Sequence, residues 1–593
     1  MRIQGGRAAL WSLPAAGLAA SLAAFPPPPV AAAPEKVVVR GDLGRRIDDY
    51  MTHLEGYGFA GALLVAKDGQ VVLAKGYGLA DRERRIRVTP DTVFDIGSIT
   101  KQFTATAILQ LEARGRLKVT DPIGKYFPDV PPDKRAITLH HLLTHTSGLR
   151  SDFGGDYDPV PRDEIVRRAL TEPLLSKPGE RFHYSNAGYS LLASIVELLM
   201  GRGYEDFLSR NLFQPAGMLH TGYRLPQWRR EDVARGYVDG ERRPATLDEP
   251  WAADGPWWNL RGNGGIHSTI WDMYRWHVAL EGEAILPAEE KAKLTKPYVP
   301  QGEGSKLSYA YGWGVATTQR KTRLVTHNGG NGIFEAEFRR YLDEGTVIFI
   351  ASNAEISGIQ VSGRVARLVF GVEVPVPAKV VPLGAAMLAR YAGTYQLQGG
   401  DALQVRRSGS RLGLIANGQP ALDALFCSDD AARQTAEALN RRSVGLAEAA
   451  AKGDYAPLQK ALGGSVSREQ VRAQGDLLWD AWRKTLGEFK SLKGLGTQPG
   501  PQGRVDTTLR LEFERGAAYL TFSWAGDLLD DLRPLGHPPE VSLFPISAAE
   551  FTPLSADFGQ AFRVSFLMGR DGAVSAMEVG GESCLLRARR AGG

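Results

Sequence analysis

The chain has 593 residues, 43% hydrophobic and 23% charged, which is ordinary globular usage at a length too great for one core. Its formal charge of +5 is too small an excess over this length to suggest nucleic acid or a polybasic membrane surface as partner. Two cysteines, Cys427 and Cys584, exclude a disulfide framework and a cysteine-held zinc site, and allow at most one bridge.

Residues 1–33 read as an export signal. Arg2 and Arg7 make a positive start, Ala8 to Ala24 is apolar and uncharged, and Val30-Ala31-Ala32 offers small residues for cleavage before Ala33. Pro14, Gly17 and the prolines from Pro26 to Pro29 argue against a stable membrane anchor, and no later stretch is apolar for long enough to span a bilayer. The expectation is an exported chain, periplasmic or extracellular.

Leu43, Ile47, Tyr50, Met51 and Leu54 recur at helical spacing, so the mature chain opens on an amphipathic helix. Two apolar runs, Phe59–Lys67 and Val71–Gly78, flank Asp68-Gly69 and predict a hairpin. A helix follows over Gln102–Arg114, with Phe103, Ala107, Ile108 and Leu111 on one face and Gly115 closing it. Asn186–Met200 is the clearest helix of a mainly helical middle portion, stopped by Gly201. Strands are predicted at Tyr311–Gln319, Arg323–His327, Phe334–Tyr341 and Thr346–Ser352, joined by short turns and therefore antiparallel, with a helix over Ile359–Phe370. The economical arrangement is α/β of the α+β type. Early and late strands share one antiparallel sheet flanked by helices, and a helical lobe lies beside it with a cleft between.

Pro375, Pro377 and Pro382 mark residues 372–383 as a linker after a first domain at 34–371. Nine of the ten histidines precede it and only His537 follows, which places acid–base chemistry in the first portion. Beyond it, Tyr391–Leu397, Ala402–Arg407 and Arg411–Ala416 look stranded, and Ala431–Ala451 and Arg468–Lys484 helical. Thr507–Glu514, Ala518–Trp524 and Val541–Ala573 return to strands. The layout is a small β-domain at 384–593, interrupted by an α+β insertion near 428–535. Trp479 and Trp482 sit at helical spacing and read as core of that insertion.

Three short motifs carry chemistry. Ser98 and Lys101 stand three apart at a helix start, hence on one side of it. A serine hydroxyl needs a base to become a nucleophile, and lysine serves only if burial or nearby positive charge lowers its pKa from about 10.4. Tyr184-Ser185-Asn186 opens the strongest helix, where a phenol can relay a proton and an amide can hold a substrate carbonyl or the lysine. Thr326-His327-Asn328-Gly329-Gly330 ends a predicted strand, and its glycines let backbone N–H groups approach an acyl carbon. Singly each is weak: chance supplies such pairs, helix caps and glycine-rich loops in any long chain.

Together and in this order, Ser98-x-x-Lys101, Tyr184-x-Asn186 and His327-x-Gly329 resemble the penicillin-recognising serine hydrolases. These comprise class C-shaped serine β-lactamases, D-Ala-D-Ala carboxypeptidases, D-aminopeptidases and esterases. Leu142–Leu149, Pro215–Met218, Gly262-Asn263-Gly264-Gly265-Ile266 and Tyr311-Gly312-Trp313-Gly314 look like the same family, over roughly residues 40–371. The resemblance implies a β-lactamase/transpeptidase-like fold and an acyl-enzyme on Ser98. Lys101 and Tyr184 would share acid and base duties, and Asn186, His327 and Gly329 would meet the substrate. The N–H groups of Ser98 and Gly330 would form the oxyanion hole. It also implies a small acyl, peptide or ester substrate, with cell-wall-derived compounds among the candidates, and no metal or cofactor. Leu388–Tyr395 looks like the lipocalin-like β-domain often appended to this family, and the insertion resembles cystatin-like or NTF2-like modules in layout.

One departure bears on specificity. The family's β-lactamases and many carboxypeptidases carry Lys-Thr-Gly where this chain has His327-Asn328-Gly329. A lysine is a dependable partner for a substrate carboxylate and a histidine is not, so the peptidase and esterase branches are favoured over β-lactamase. Lys321-Thr322-Arg323 lacks the required glycine, and Ser151-Asp152-Phe153 misses the Ser-Asp-Asn form. His141 and His145 are four apart, but Leu142 stands where a zincin has Glu. The second reading is a catalytically inactive binding or scaffold protein that keeps the shell, motivated by the large accessory region.

Overall fold

The computed structural model describes residues 37–591 apart from 239, 303, 354–355, 399–400, 410, 464–467, 501–502, 555–561 and 581–584. The leader assigned to 1–33 and Cys584 lie outside the described residues; Cys427 is not a free thiol.

A nine-stranded antiparallel sheet organises the first portion. In chain order its strands are β1 (Val38–Val39), β2 (Gly61–Lys67), β3 (Gln70–Tyr77), β4 (Val299–Pro300), β5 (Leu307–Tyr309), β6 (Gly314–Thr317), β7 (Arg323–Gly330), β8 (Glu335–Tyr341) and β9 (Thr346–Ser352). They lie in the order β1-β3-β2-β9-β8-β7-β6-β5-β4. The Asp68-Gly69 turn lets β2 and β3 pair, and β9 pairs β2 from Thr346 against Lys67 to Ser352 against Gly61. Early and late segments thus close one sheet.

Helices α1 (Gly41–Gly56) and α4 (Gly358–Val369) cover one face. Ile47, Tyr50, Met51 and Leu54 pack there with Val361, Val365, Leu63, Val65 and Ile350. Because side chains alternate along a strand, Ala62, Leu64 and Ala66 point the other way, into the larger core shared with the lobe. Burial on both faces explains the unbroken apolar run of β2.

The lobe is built around α2 (Thr100–Ala113) and α3 (Asn186–Met200). The single apolar face expected of α2 is not what the structure holds. Every residue from Thr100 to Leu111 is buried, because sheet and lobe enclose the helix on all sides. Several of its polar side-chain atoms find partners, such as Gln110 Nε2 donating to Ile285 O at 2.8 Å and Thr106 Oγ1 donating to Gln102 O at 2.8 Å. The strand expected over Tyr311–Gln319 is confined to β6. Gly312 turns the chain at φ +76°, where a Cβ would lie 2.7 Å from Lys101 O, so Tyr311-Gly312 wraps the start of α2.

The proline-rich segment after Phe370 packs rather than dangles. His53 Nδ1 meets Pro377 O at 2.6 Å, and Val381 N donates to Pro545 O at 2.8 Å. Beyond it, β10 (Gly393–Gln396), β11 (Ala402–Ser408) and β12 (Arg411–Asn417) begin a barrel. An α+β excursion then intervenes. Helices α5 (Asp430–Ala451) and α6 (Arg468–Leu486) are followed by β13 (Phe489–Pro499), β14 (Val505–Phe513), β15 (Gly516–Ala525) and β16 (Leu528–Leu535), which form a sheet in that order. Trp479 is buried in its core with Leu509, Leu511 and Trp524. The barrel resumes with β17 (Val541–Pro545), β18 (Glu550–Pro553), β19 (Arg563–Met568), β20 (Val574–Gly580) and β21 (Leu585–Arg590), and closes where Tyr395 of β10 pairs with Arg590 of β21.

Candidate active site

The end of β7 lies directly against a single 3-10 turn, Gly97–Ile99, that leads into α2. Two glycines permit this approach. A Cβ at Gly329 would sit 2.0 Å from Ile96 O and 2.8 Å from Ser98 N; one at Gly97, whose φ is +52°, would sit 2.5 Å from Gly330 N. Asp95 anchors the turn from below. Its carboxylate accepts from Gly97 N at 2.8 Å, from Asn331 Nδ2 at 3.0 Å and from the Thr246 hydroxyl. Ser98 is therefore held half-buried at the mouth, beside the backbone of Gly329 and Gly330.

One turn further, Lys101 is wholly buried and its Nζ has three oxygen neighbours. They are Ser98 Oγ at 3.0 Å, Asn186 Oδ1 at 2.7 Å and Asn263 O at 2.8 Å. Burial pulls the lysine pKa down to about 7, against the opposing pull of Asp152 and Asp156. At neutral pH much of it is free amine. In that form two N–H bonds satisfy Asn186 Oδ1 and Asn263 O, which can only accept, and the lone pair is left for the Ser98 hydroxyl.

Tyr184 closes the triangle. Its phenol hydrogen-bonds Ser98, its ring centroid lies 4.8 Å from Lys101 Nζ, and burial raises its pKa above the usual tyrosine value. His145 packs behind it, tilted by 32°, at 4.2 Å between centroids. The His145 Nδ1 accepts from Ser185 N at 3.0 Å, so its proton sits on Nε2, and burial holds the ring neutral. Ser185 caps α3 through Gly188 N, fixing where Tyr184 and Asn186 leave the backbone.

His327 is set back from the serine. Its Nδ1 donates to Asn328 O at 2.6 Å and its Nε2 accepts from Tyr309 Oη at 2.9 Å. It is 6% exposed, and burial, with Lys101 adding, pushes its pKa down to about 4. The imidazole is uncharged at neutral pH and both its nitrogens are engaged.

The structure also brings in groups that sequence motifs did not assign. Asp152 accepts from Asn186 Nδ2 at 2.8 Å. Asp156, on the same loop, is raised to about 6 by burial and by the nearby Asp152 and Asp95 carboxylates. Asp152 also lines a polar cleft of about 290 Å³ between this loop and the helix Arg162–Thr171. Asn263, within the Gly262–Ile266 stretch, contributes a backbone carbonyl, which no side-chain pattern signals. His141 and His145 part company: His141 Nδ1 accepts from Thr138 N in a helix cap, while His145 serves Ser185. Lys321 lies in the turn before β7, at φ +63°.

A buried amine, a hydroxyl and a phenol come together between a helical lobe and an antiparallel sheet, an arrangement suited to activating a serine hydroxyl. The beta-lactamase family model matches residues 45–367, and the chain belongs to that family of serine hydrolases. It is 30% identical over 403 residues to penicillin-binding protein 4* of Bacillus subtilis (strain 168), covering 63% of this chain and 88% of the relative. A putative penicillin-binding protein, PbpX, of the same strain is 32% identical over 282 residues, 48% of this chain and 68% of the relative. Among solved structures, the octameric penicillin-binding protein homologue from Pyrococcus abyssi superposes with a TM-score of 0.51 at 21% identity. That match covers 83% of this chain and 100% of the other, and speaks to the fold.

Proposed function

We propose that the protein cleaves an amide, peptide or ester through an acyl-enzyme on Ser98, in the manner of the peptidase and esterase branches rather than the β-lactamases. The observation that carries this reading is Lys101, a buried amine of pKa about 7 whose remaining hydrogen-bond partner is the Ser98 hydroxyl. Lys101 takes the Ser98 proton as Oγ attacks the carbonyl carbon. The Ser98 and Gly330 N–H groups receive the developing oxyanion. Tyr184, whose phenol burial keeps protonated, passes a proton to the leaving group, and Lys101 in turn reprotonates it. Water then attacks the acyl-Ser98 carbonyl with Lys101 again as base, which releases the acid and restores the serine.

The preference among branches is electrostatic. A penicillin carboxylate would meet neutral His327 in place of a lysine, with the Asp152 and Asp156 carboxylates close to Lys101. A neutral or amine-bearing acyl group meets no such penalty. The reading includes export, supported by Arg2, Arg7 and the uncharged Ala8 to Ala24 stretch. Among the described residues no helix is long and apolar enough to cross a membrane.

The test is a fluorophosphonate probe, followed by a panel of p-nitrophenyl esters, D- and L-amino acid amides and nitrocefin. The expected result is label on Ser98, turnover of esters or amides well above nitrocefin, and loss of both in Ser98→Ala. Folded protein that takes no label and turns nothing over would favour a scaffold that keeps the shell without the reaction.

A further inference from the structure

The hydrogen bonds around Lys101 share one ambiguity that a single residue outside the motifs resolves. Of the two carbonyls that accept from Nζ, Asn263 O belongs to the backbone and cannot turn round. Asn186 Oδ1 belongs to a side-chain amide, whose terminal torsion is broad and roughly two-fold. Turned over, that amide would present N–H groups to the lysine. The lone pair of the free amine would then be drawn to Nδ2–H, away from Ser98. The backbone of Asn186 is fixed by the Ser185 cap, so only the partners of the amide decide which way it faces. Asp152 Oδ1 is that partner, 2.8 Å from Asn186 Nδ2. A carboxylate accepts and does not donate, so it tolerates the nitrogen of the amide and not the oxygen.

We infer that Asp152 is a positioning residue for this reaction: by accepting from Asn186 Nδ2 it holds the amide oxygen toward Lys101, so that the lone pair of the free amine faces Ser98. The inference rests on the roles proposed for Ser98 and Lys101. Asp152 acts a second time through its charge, which favours protonated Lys101 and opposes the downward pull of burial. The amine thus remains basic enough to take a proton from an alcohol. The other groups facing Lys101 are Asp156 from the same loop, neutral His327 from β7, neutral His145, and the protonated phenols of Tyr184 and of Tyr189, the latter's ring centroid 5.7 Å from Nζ. Asp152 is the carboxylate that also touches the Lys101 hydrogen-bond network, through Asn186.

A double-mutant cycle with Asn186 tests this, read by the rate of fluorophosphonate labelling at Ser98 and by ester kcat and KM across pH. Asp152→Ala in the unaltered background should slow labelling and kcat roughly ten-fold with KM little changed, and should move the acid limb to lower pH by up to about one unit. In an Asn186→Ala background the same change should cost less than about two-fold in rate, because the amide it orients is gone. Asp152→Glu should restore part of the loss, and Glu172→Gln, on the same cleft but not bonded to Asn186, should leave the acid limb in place. Additive losses in the cycle, or an Asp152→Ala protein with unchanged labelling rate and acid limb, would overturn the role of Asp152. If Asp152→Ala does not fold, Asp152→Asn, which removes the charge and can donate as well as accept, takes its place in the cycle with the same expectations. Absence of labelling in the unaltered chain is a different failure, that of the Ser98 reading itself.

Discussion

The lobe-and-sheet portion and the C-terminal barrel bury different things. Around Ser98 the interior holds Lys101, Asn263, His145 and His327, all nearly inaccessible, each held by specific hydrogen bonds and three of them with pKa values pulled down by burial. The barrel interior holds Tyr395, Leu403, Leu414, Phe551, Phe566 and Met577, packed as filler, with Tyr391 and Phe566 stacked at 4.5 Å. Where barrel and insertion meet, Leu414, Leu422, Leu495 and Val541 leave only about 10 Å³, room for about one water. Desolvation is common to both regions. In the first it tunes chemistry; in the second it stabilises packing. Substitutions in the two should therefore separate rate from stability.

The largest separation is expected at the nucleophile. Ser98→Ala should lower ester turnover by at least about 10³-fold and abolish labelling while leaving the unfolding midpoint nearly unchanged, as denaturant melts would show. Lys101→Arg is a close second. A guanidinium keeps the positive charge but does not release its proton near neutrality, so labelling should fall by a comparable factor despite the retained cation. In the unaltered chain, a base of pKa about 7 makes kcat/KM rise with pH up to about 7 and level off above it. A profile already flat at pH 5 would remove Lys101 from that role. Next comes Gly329→Ala. The added methyl would meet Ile96 O and force β7 away from the serine turn, which should cost about 10²-fold in kcat, the scale of one oxyanion donor.

These effects follow residues whose legibility in the chain differed. Ser98 and Lys101 are three apart at a helix start, so spacing alone puts them on one side, whereas Tyr184 and Asn186 flank the extended cap residue Ser185; the structure unites both pairs. Asp152 reaches Asn186 across 34 residues of loop and helix, and Asn263 acts through a main-chain oxygen that every residue possesses. Neither leaves a pattern. His327 was legible as a residue but not as a state: its neutrality comes from burial, with Lys101 adding, and both depend on packing between distant parts of the chain. The same limit applies to the fold. β2, β3 and β9 announce themselves because they are apolar and bounded by turns. β4 and β5 are too short to carry a period, and β13 is disguised by register shifts at Phe489/Ser491 and Gly494/Gly496 that break its alternation.

The barrel supplies the opposite half of the comparison. Phe566→Ala should empty a place among Tyr391, Tyr395 and Phe551 and destabilise the barrel by about 3–5 kcal/mol, seen as an earlier unfolding transition, with the kinetic constants of the folded protein unchanged. The smallest effect, and the sharpest check, is Tyr395→Phe. Its hydroxyl donates to Tyr391 O at 2.7 Å inside the barrel, joining β10 to the short helix Ala385–Tyr391 before it. Removing the donor leaves a buried carbonyl short of a partner, which should lower stability by about 1 kcal/mol and shift nothing in the pH profile. A change in the acid limb of Tyr395→Phe would mean that barrel packing reaches Lys101, and the division between a region that tunes chemistry and one that only packs would fail.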